Sequence, residues 1–193
     1  MIIFNSGAIS KENFYDRAKV TRTANEMLRR RDILCPLCGG ELTVHSSHQR
    51  HCIDDNGQRH DGWIVQVHCS ACNKYPSLIP DFIMPYKHYK TAVIEAAIRA
   101  SEEGCLGLSS CPADESTVRR WANQFKVRGA LAVGWLLSIL FVVYERHISI
   151  LEQQNMSLLQ RLYYLMQQMP VSEFGELISR VNFVLTRHNY GFL

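Results

Sequence analysis

The sequence predicts an α+β fold, a small cysteine-bearing β unit followed by an α-helical region, and three observations carry this. Two Cys-x-x-Cys pairs, Cys35/Cys38 and Cys69/Cys72, enclose a tight-turn signal, "DDNG" at 54–57. The run after that turn, "WIVQVHC", is β-branched and aromatic. From about residue 89 onward the apolar residues recur at helical spacing. At 193 residues the chain suffices for one ordinary domain or two small ones, and 47% apolar residues excludes a disordered class.

Four segments follow in order. Residues 1–32 are an N-terminal strand/helix segment: a short apolar run, then a polar helical stretch ending in "RRRD". Nothing in this opening reads as a signal peptide. Residues 33–75 hold five of the seven cysteines and most of the eight histidines. In this segment Trp63, Val65, Val67 and Cys69 share one strand face, and Ile64, Gln66 and His68 the other. Residues 76–129 begin with "PSLIPDFIMPYKH", whose three prolines predict an irregular connector, and continue into helices. Residues 130–193 are predicted as C-terminal apolar helices, with Pro170 as a stop.

The cysteine pairs carry the chemistry. Each Cys-x-x-Cys turn puts two sulfurs on one side of a tight bend, and two such bends joined by a hairpin offer four thiolates in tetrahedral array. Gly39 and Asn73 follow the second cysteine of each pair, and both types tolerate the left-handed backbone that closes such a turn. A redox pair would need a βαβ setting, which is missing. An odd number of cysteines without a secretion signal also argues against a disulfide framework. We therefore expect residues 33–75 to be a zinc ribbon holding one structural zinc on Cys35, Cys38, Cys69 and Cys72. A site closed by four cysteines has no position for a catalytic water.

Between the pairs stands "HSSHQRHC", residues 45–52. On a strand, His51 and Cys52 point to opposite faces and do not readily chelate one ion. A polar strand surface is the plain reading; a second metal site, or His51 or His68 replacing one cysteine, stay open.

Net charge is only about +3, yet no Asp follows Asp114 and cations cluster at 29–31 and 119–128. In "CPADESTVRRWANQFKVRG", residues 111–129, Asp114 or Ser116 can cap a helix and Gly129 can end it. Val118, Trp121, Ala122 and Phe125 form a core stripe. Arg119, Arg120 and Asn123 stand opposite, flanked by Gln124, Lys126 and Arg128. These are the side chains that read base edges and neutralise phosphates. With a preceding helix over about 89–103 this is a helix-turn-helix-like element. A merely solvated basic face is the alternative, and "CLGLSSCPA", with Gly107, is short for a middle helix. Cys105 and Cys111 read as small buried residues rather than ligands.

In order and kind of motif, the chain resembles a bacterial family of small, functionally uncharacterised zinc-ribbon proteins. More distantly it is similar to the zinc-ribbon/helix-turn-helix front end of insertion-sequence transposases. The resemblance covers about residues 30–128 and rests on the four cysteines, on Pro80-Asp81-Phe82 through Pro85-Tyr86, and on Ser116 to Trp121. It implies double-stranded DNA binding linked to mobile elements. A transposase catalytic domain needs three carboxylates on two divalent ions. After Glu115 only Glu145, Glu152, Glu173 and Glu176 remain, all in helical sequence, so no enzyme activity is expected.

Residues 129–144 carry no charge, but sixteen residues fall short of the ~18–20 of a membrane span. A buried core helix is expected, with a short membrane-associated helix as the alternative. Phe141, Tyr144, Ile148, Leu151, Asn155, Leu158, Leu162, Leu165 and Met169 follow a 3-4 spacing. Residues 141–169 therefore suit either a parallel homodimer or, since Ile150, Leu159, Tyr163 and Met166 are apolar too, an intramolecular bundle.

The expected function is a non-catalytic, zinc-stabilised, cytoplasmic and nucleoid-associated DNA-binding protein, tied to a mobile element or to transcriptional regulation. Arg119, Arg120 and Asn123 would lie toward the groove, with Lys126, Arg128 and Arg50 on phosphate and Gln124 flanking them in the DNA-binding set. The alternative is a protein-protein interaction adaptor.

Overall fold

The computed structural model describes residues 2–4, 13–105, 111–149, 151–170 and 176–188. Gly107, Ile150 and Glu173 lie outside them. The fold is mixed α+β. Strands β1 (Ile2–Phe4), β2 (Leu42–Ile53), β3 (Arg59–Cys69) and β4 (Ser77–Pro80) form one sheet in the order β1-β4-β3-β2. Helices α1 (Arg17–Arg29), α2 (Thr91–Glu102), α3 (Glu115–Tyr144), α4 (Leu158–Gln167) and α5 (Leu177–Arg187) complete the described elements, with short 3-10 turns at Asn13–Tyr15 and Leu151–Gln153.

The long β2–β3 hairpin is antiparallel and runs from Leu42↔Cys69 to Ile53↔Arg59, with a bulge between Val44 and Ser46. Its loop, residues 54–58, closes on Asp54. The Asp54 carboxylate accepts the amides of Asn56 (3.0 Å) and Gln58 (2.9 Å) and bonds His60 Nε2 (2.6 Å), while Gly57 takes φ 76°. The His60 contact, with those amides, holds the Asp54 carboxyl below its usual range. Sequence patterning makes the proline-rich connector irregular, but the structure finds β4 inside it. Leu78 and Ile79 pair in parallel with Ile2 and Ile3, and Val65 pairs with Leu78 on the other side. Prolines stand only at or outside the ends of this strand, Pro76 and Pro80, where a missing N–H is tolerated.

Two cores form. The sheet core gathers Ile2, Phe14, Val20, Ala24, Cys52, Ile64, Val67, Leu78 and Phe82 beneath α1. Residue 62 must be glycine, because a Cβ there would lie 1.8 Å from the buried Phe14 ring. The helical core gathers Ile94, Ile98, Trp121, Phe125, Leu136, Leu140, Leu162, Leu165, Ile178 and Val181. The connector joins them: Phe82 and Ile83 belong to the first core and Met84 to the second. The Asp81 carbonyl accepts the hydroxyls of Thr91 and Ser179.

Helix α2 carries two glutamates, two turns apart, that satisfy orphan amides at other helix starts. Glu95 accepts the Ile178 amide at 2.9 Å at the start of α5. Glu102 accepts the Leu159 amide at 3.4 Å and the Ser157 hydroxyl at 2.6 Å at the start of α4. Burial, above all, pushes the Glu95 carboxyl up, against the pull of the Ile178 amide and Arg99.

One helical expectation needs correction. Gly129 does not end its helix: α3 runs 30 residues, and Gly129 is buried where α4's Leu158 passes. The end comes at Glu145, which adopts φ 53° and donates its N–H to Leu140. That left-handed cap also breaks the 3-4 spacing. Phe141 and Tyr144 lie on α3, Leu151 on a 3-10 turn and Leu158, Leu162 and Leu165 on α4, so residues 141–169 are not one coiled-coil helix. Leu162, Leu165 and Met169 turn instead into the helical core.

By length and composition α3 could cross a membrane, and only 28% of its most apolar window is buried within the chain. The expected buried helix is therefore buried on one face only. Ala132, Leu136, Ile139 and Leu140 are inside; Val127, Leu131, Phe141, Val142 and Val143 are exposed.

Two glycine substitutions separate rigid from yielding contacts. Gly62→Ala drives a methyl into an immobile ring and should cost on the order of 1–3 kcal/mol. Gly129→Ala meets Leu158 Cδ2 at 2.6 Å, the far end of a flexible side chain. It also gains about 1 kcal/mol of helix propensity, so its net change should stay within about 1 kcal/mol. Urea unfolding of both variants measures the difference.

Candidate functional site

The first knuckle closes by two backbone bonds, Gly39 N–H to Cys35 O (2.8 Å) and Cys35 N–H to Gly40 O (2.9 Å). The second closes on a bond from Cys69 N–H to Lys74 O (2.9 Å). Gly39 (φ 71°) and Asn73 (φ 53°) are both left-handed, as the knuckle spacing requires. Gly40 lets the knuckles meet: a Cβ there would stand 2.9 Å from Ala71 Cβ and 3.1 Å from Cys69 Sγ.

The four sulfurs lie within 4.8 Å of one another. Cys35 Sγ is 3.6 Å from Cys72 Sγ, and Cys38 Sγ is 3.5 Å from Cys69 Sγ. Sulfurs at 2.3 Å from a tetrahedral zinc are separated by about 3.8 Å, so this donor set can hold a metal ion and is consistent with zinc. Cys35 and Cys69 are buried, Cys72 is half-buried and Cys38 is exposed.

The thiols are electrostatically unequal. Burial pushes Cys35 up, but the amides of Leu37 and Cys38 and the thiols of Cys72 and Cys38 outweigh it and hold Cys35 down at about 7. Cys72 is pushed up to about 12 by burial and by its contacts with the other three sulfurs.

Among the described residues, these cysteines are the one group of three or more His, Cys, Asp and Glu placed to hold an ion. The histidine stretch divides otherwise. Cys52 is buried in the sheet core, while His51 stacks on His88 with centroids 4.3 Å apart and planes 4° apart. Burial, then His51, Arg50 and Arg59, hold the His88 imidazole below its ordinary pKa. His45 and His68 both lie against Tyr75. Cys105 and Cys111 are half-buried, away from the cluster.

Helix α3 starts at Asp114, whose carboxylate accepts the Thr117 amide at 2.9 Å. The hydroxyl of Ser116, then Thr117, holds that carboxyl down at about 2. Val118, Trp121, Ala122 and Phe125 are buried against the helical core. The opposite side exposes Arg119, Arg120, Asn123, Lys126 and Arg128, with Gln124 half-buried. An open groove of about 680 Å³ is lined by Ser116, Arg119, Arg120, Asn123, Gln124, Val127 and Arg128. Arg119 pairs with Glu115 at 2.7 Å, an exposed contact of the kind worth only about 0.3–0.5 kcal/mol.

Arg50 stands apart from this face. Its guanidinium donates to the carbonyls of Met84 (2.8 Å) and Lys87 (2.9 Å), which ties it to the connector. The strand pattern of β2 gives no sign of this, because both acceptors are backbone atoms more than thirty residues away. Sequence reading also missed Lys87, whose Nζ donates to Gln124 Oε1 at 2.5 Å. The only local signal was a lysine two residues after the last proline of the connector.

Fold and site thus define a mixed α+β protein with a four-cysteine cluster compatible with a zinc ribbon. Residues 35–121 match the family model described as a domain of unknown function (DUF6431), from the first cysteine to the buried Trp121 of α3. No curated protein and no solved structure matches the chain.

Metal affinity should depend on pH through these thiols. Below about pH 7 Cys35 holds its proton, so the ion must displace one proton more and binds more weakly. Competition with a chelator between pH 6 and 8 should give an affinity that rises with pH, more steeply below about 7 where Cys35 is protonated too; a flat profile would contradict coordination by thiolates.

Proposed function

We propose that this chain is a non-catalytic, zinc-stabilised protein that binds double-stranded DNA through the exposed face of α3. The observation that carries the reading is the division of one helix. Val118, Trp121, Ala122 and Phe125 are buried, and the other side gathers Arg119, Arg120, Arg128, Asn123 and Gln124 around an open groove, with Lys126 exposed on the same helix. Arg, Asn and Gln suit base edges, and Lys126 and Arg128 suit phosphate. Helix α2 precedes α3 and shares its core, as a supporting helix does in a helix-turn-helix element. Transcriptional regulation or a mobile element is the setting we infer, the latter from motif order alone.

The zinc is structural in this reading. Four thiolates fill a tetrahedral shell, so the ion stabilises the hairpin and leaves no open position for chemistry. Purified protein should carry about one zinc per chain, and Cys69→Ser should lose both the metal and cooperative unfolding. Atomic absorption and thermal melting measure the two; metal-free protein with unchanged melting would contradict the structural role.

A second reading is a protein-interaction adaptor, favoured by the exposed Leu131, Phe141, Val142 and Val143 on the second half of α3. Duplex-binding titrations over 50–200 mM salt separate the two. DNA binding should weaken steeply with salt, Arg119→Ala/Arg120→Ala should lower affinity at least tenfold, and Lys126→Ala should reduce the salt slope by about one. Binding that ignores these changes leaves the adaptor reading.

A further inference from the structure

The hairpin loop end, remote from the cysteines, is bonded to the connector. Ile53 donates to the His88 carbonyl at 2.7 Å, and Lys90 donates to the Ile53 carbonyl at 2.9 Å. Arg50 holds the Met84 and Lys87 carbonyls. Together these bonds fix residues 84–90 as a projecting turn. At its tip Tyr86 is 87% exposed and has φ 59°. A left-handed backbone is costly for an aromatic residue, and such strain persists where the surroundings over-determine it, most often at binding sites.

Lys87 leaves this turn toward α3 and bonds Gln124, which lines the groove with Arg120 and Arg128. Burial, then the Arg120 and Arg128 cations, push the Lys87 ammonium's pKa down. Among the described residues, no ion pair joins Lys87 or Arg120 to a carboxylate. Arg120 and Arg128 line the groove, and Lys87 reaches its wall through Gln124, so cations from two separate elements gather about it. A phosphate seated beside them would be attracted by each of these cations.

We propose that Lys87, Arg120 and Arg128 form a phosphate seat that grips one phosphodiester of duplex DNA, with Arg50 as the positioning residue that holds Lys87 in place. The ligand rests on the DNA-binding reading of α3; the seat's geometry does not. Gln124 braces Lys87 here and is withdrawn from base contact. The zinc-ribbon hairpin becomes part of the binding surface indirectly, by bonding the turn that carries the lysine.

The test uses the zinc-loaded full chain, a mixed-sequence duplex, and inorganic phosphate as a separate probe. Lys87→Met should lower duplex affinity roughly tenfold on any sequence and reduce the salt slope by about one, with zinc content and melting unchanged. Arg50→Met should reduce the slope similarly, and Arg50→Met/Lys87→Met should lose little more than either alone, since both act on one contact. Arg50→Lys, which keeps a donor, should recover part of the loss. Inorganic phosphate should shift the Gln124 side-chain amide resonances in the wild type and not in Lys87→Met.

Duplex binding that keeps its affinity and slope in Lys87→Met overturns the seat and leaves the DNA reading intact. A Lys87-dependent shift with phosphate, in a protein that binds no duplex, upholds the seat and overturns the DNA reading. An affinity loss in Arg50→Met with an unchanged slope removes the positioning role.

Discussion

The meeting of the two cysteine knuckles is the constraint on which the rest of the structure depends. They close the open end of the β2–β3 hairpin, where Leu42 stands opposite Cys69. A strand pair slipped by one residue turns every side chain to the other face. Holding the sulfurs within 4.8 Å forbids that slip over a ladder on the order of 35 Å long. With the register held, Cys52 and Val67 enter the core beneath α1, and Arg50 comes to the connector carbonyls. The hairpin is short of apolar side chains for its length, so a metal-compatible cluster supplies what a larger core would.

The connector passes that order on to the helices. It contributes Phe82 and Ile83 to one core and Met84 to the other, and its backbone carbonyls receive side chains from β2, α2 and α5. Helix α2 then organises the bundle through two carboxylates that satisfy the starts of α4 and α5. Helix α3 lies across this frame with its first half divided between core and cations. Its second half is divided between core and bare apolar surface. Charge on one half and exposed hydrophobic side chains on the other suit two kinds of contact made by one helix.

Some of this was legible in the residues because it is local. The knuckles could be read from spacing, down to the left-handed conformations of Gly39 and Asn73, since both depend on a few adjacent residues. The stripe of Val118, Trp121, Ala122 and Phe125 was legible because helical periodicity alone sorts buried from exposed. Hidden features had distant causes. Strand β4 exists because Ile2 and Ile3 arrive beside Leu78 and Ile79, from the far end of the unit. Gly129 reads as a helix stop until Leu158 is seen against it. Glu145, which does end the helix, has no stop-like chemistry; the departing chain sets its backbone.

What the sequence determined by itself was therefore the chemistry available: four thiols in two knuckles, a hairpin between them, and a helix with apolar and cationic sides. Tertiary structure alone decided where that chemistry is used. It tied Arg50 to the connector carbonyls, brought Lys87 from a proline-rich turn to Gln124 of α3, and folded an apparent coiled-coil repeat back into a bundle. The physical reason is range. Periodicity and turn chemistry act over a few residues. Ladder register, backbone carbonyl acceptors and close approaches at glycine depend on partners that only the folded chain brings together.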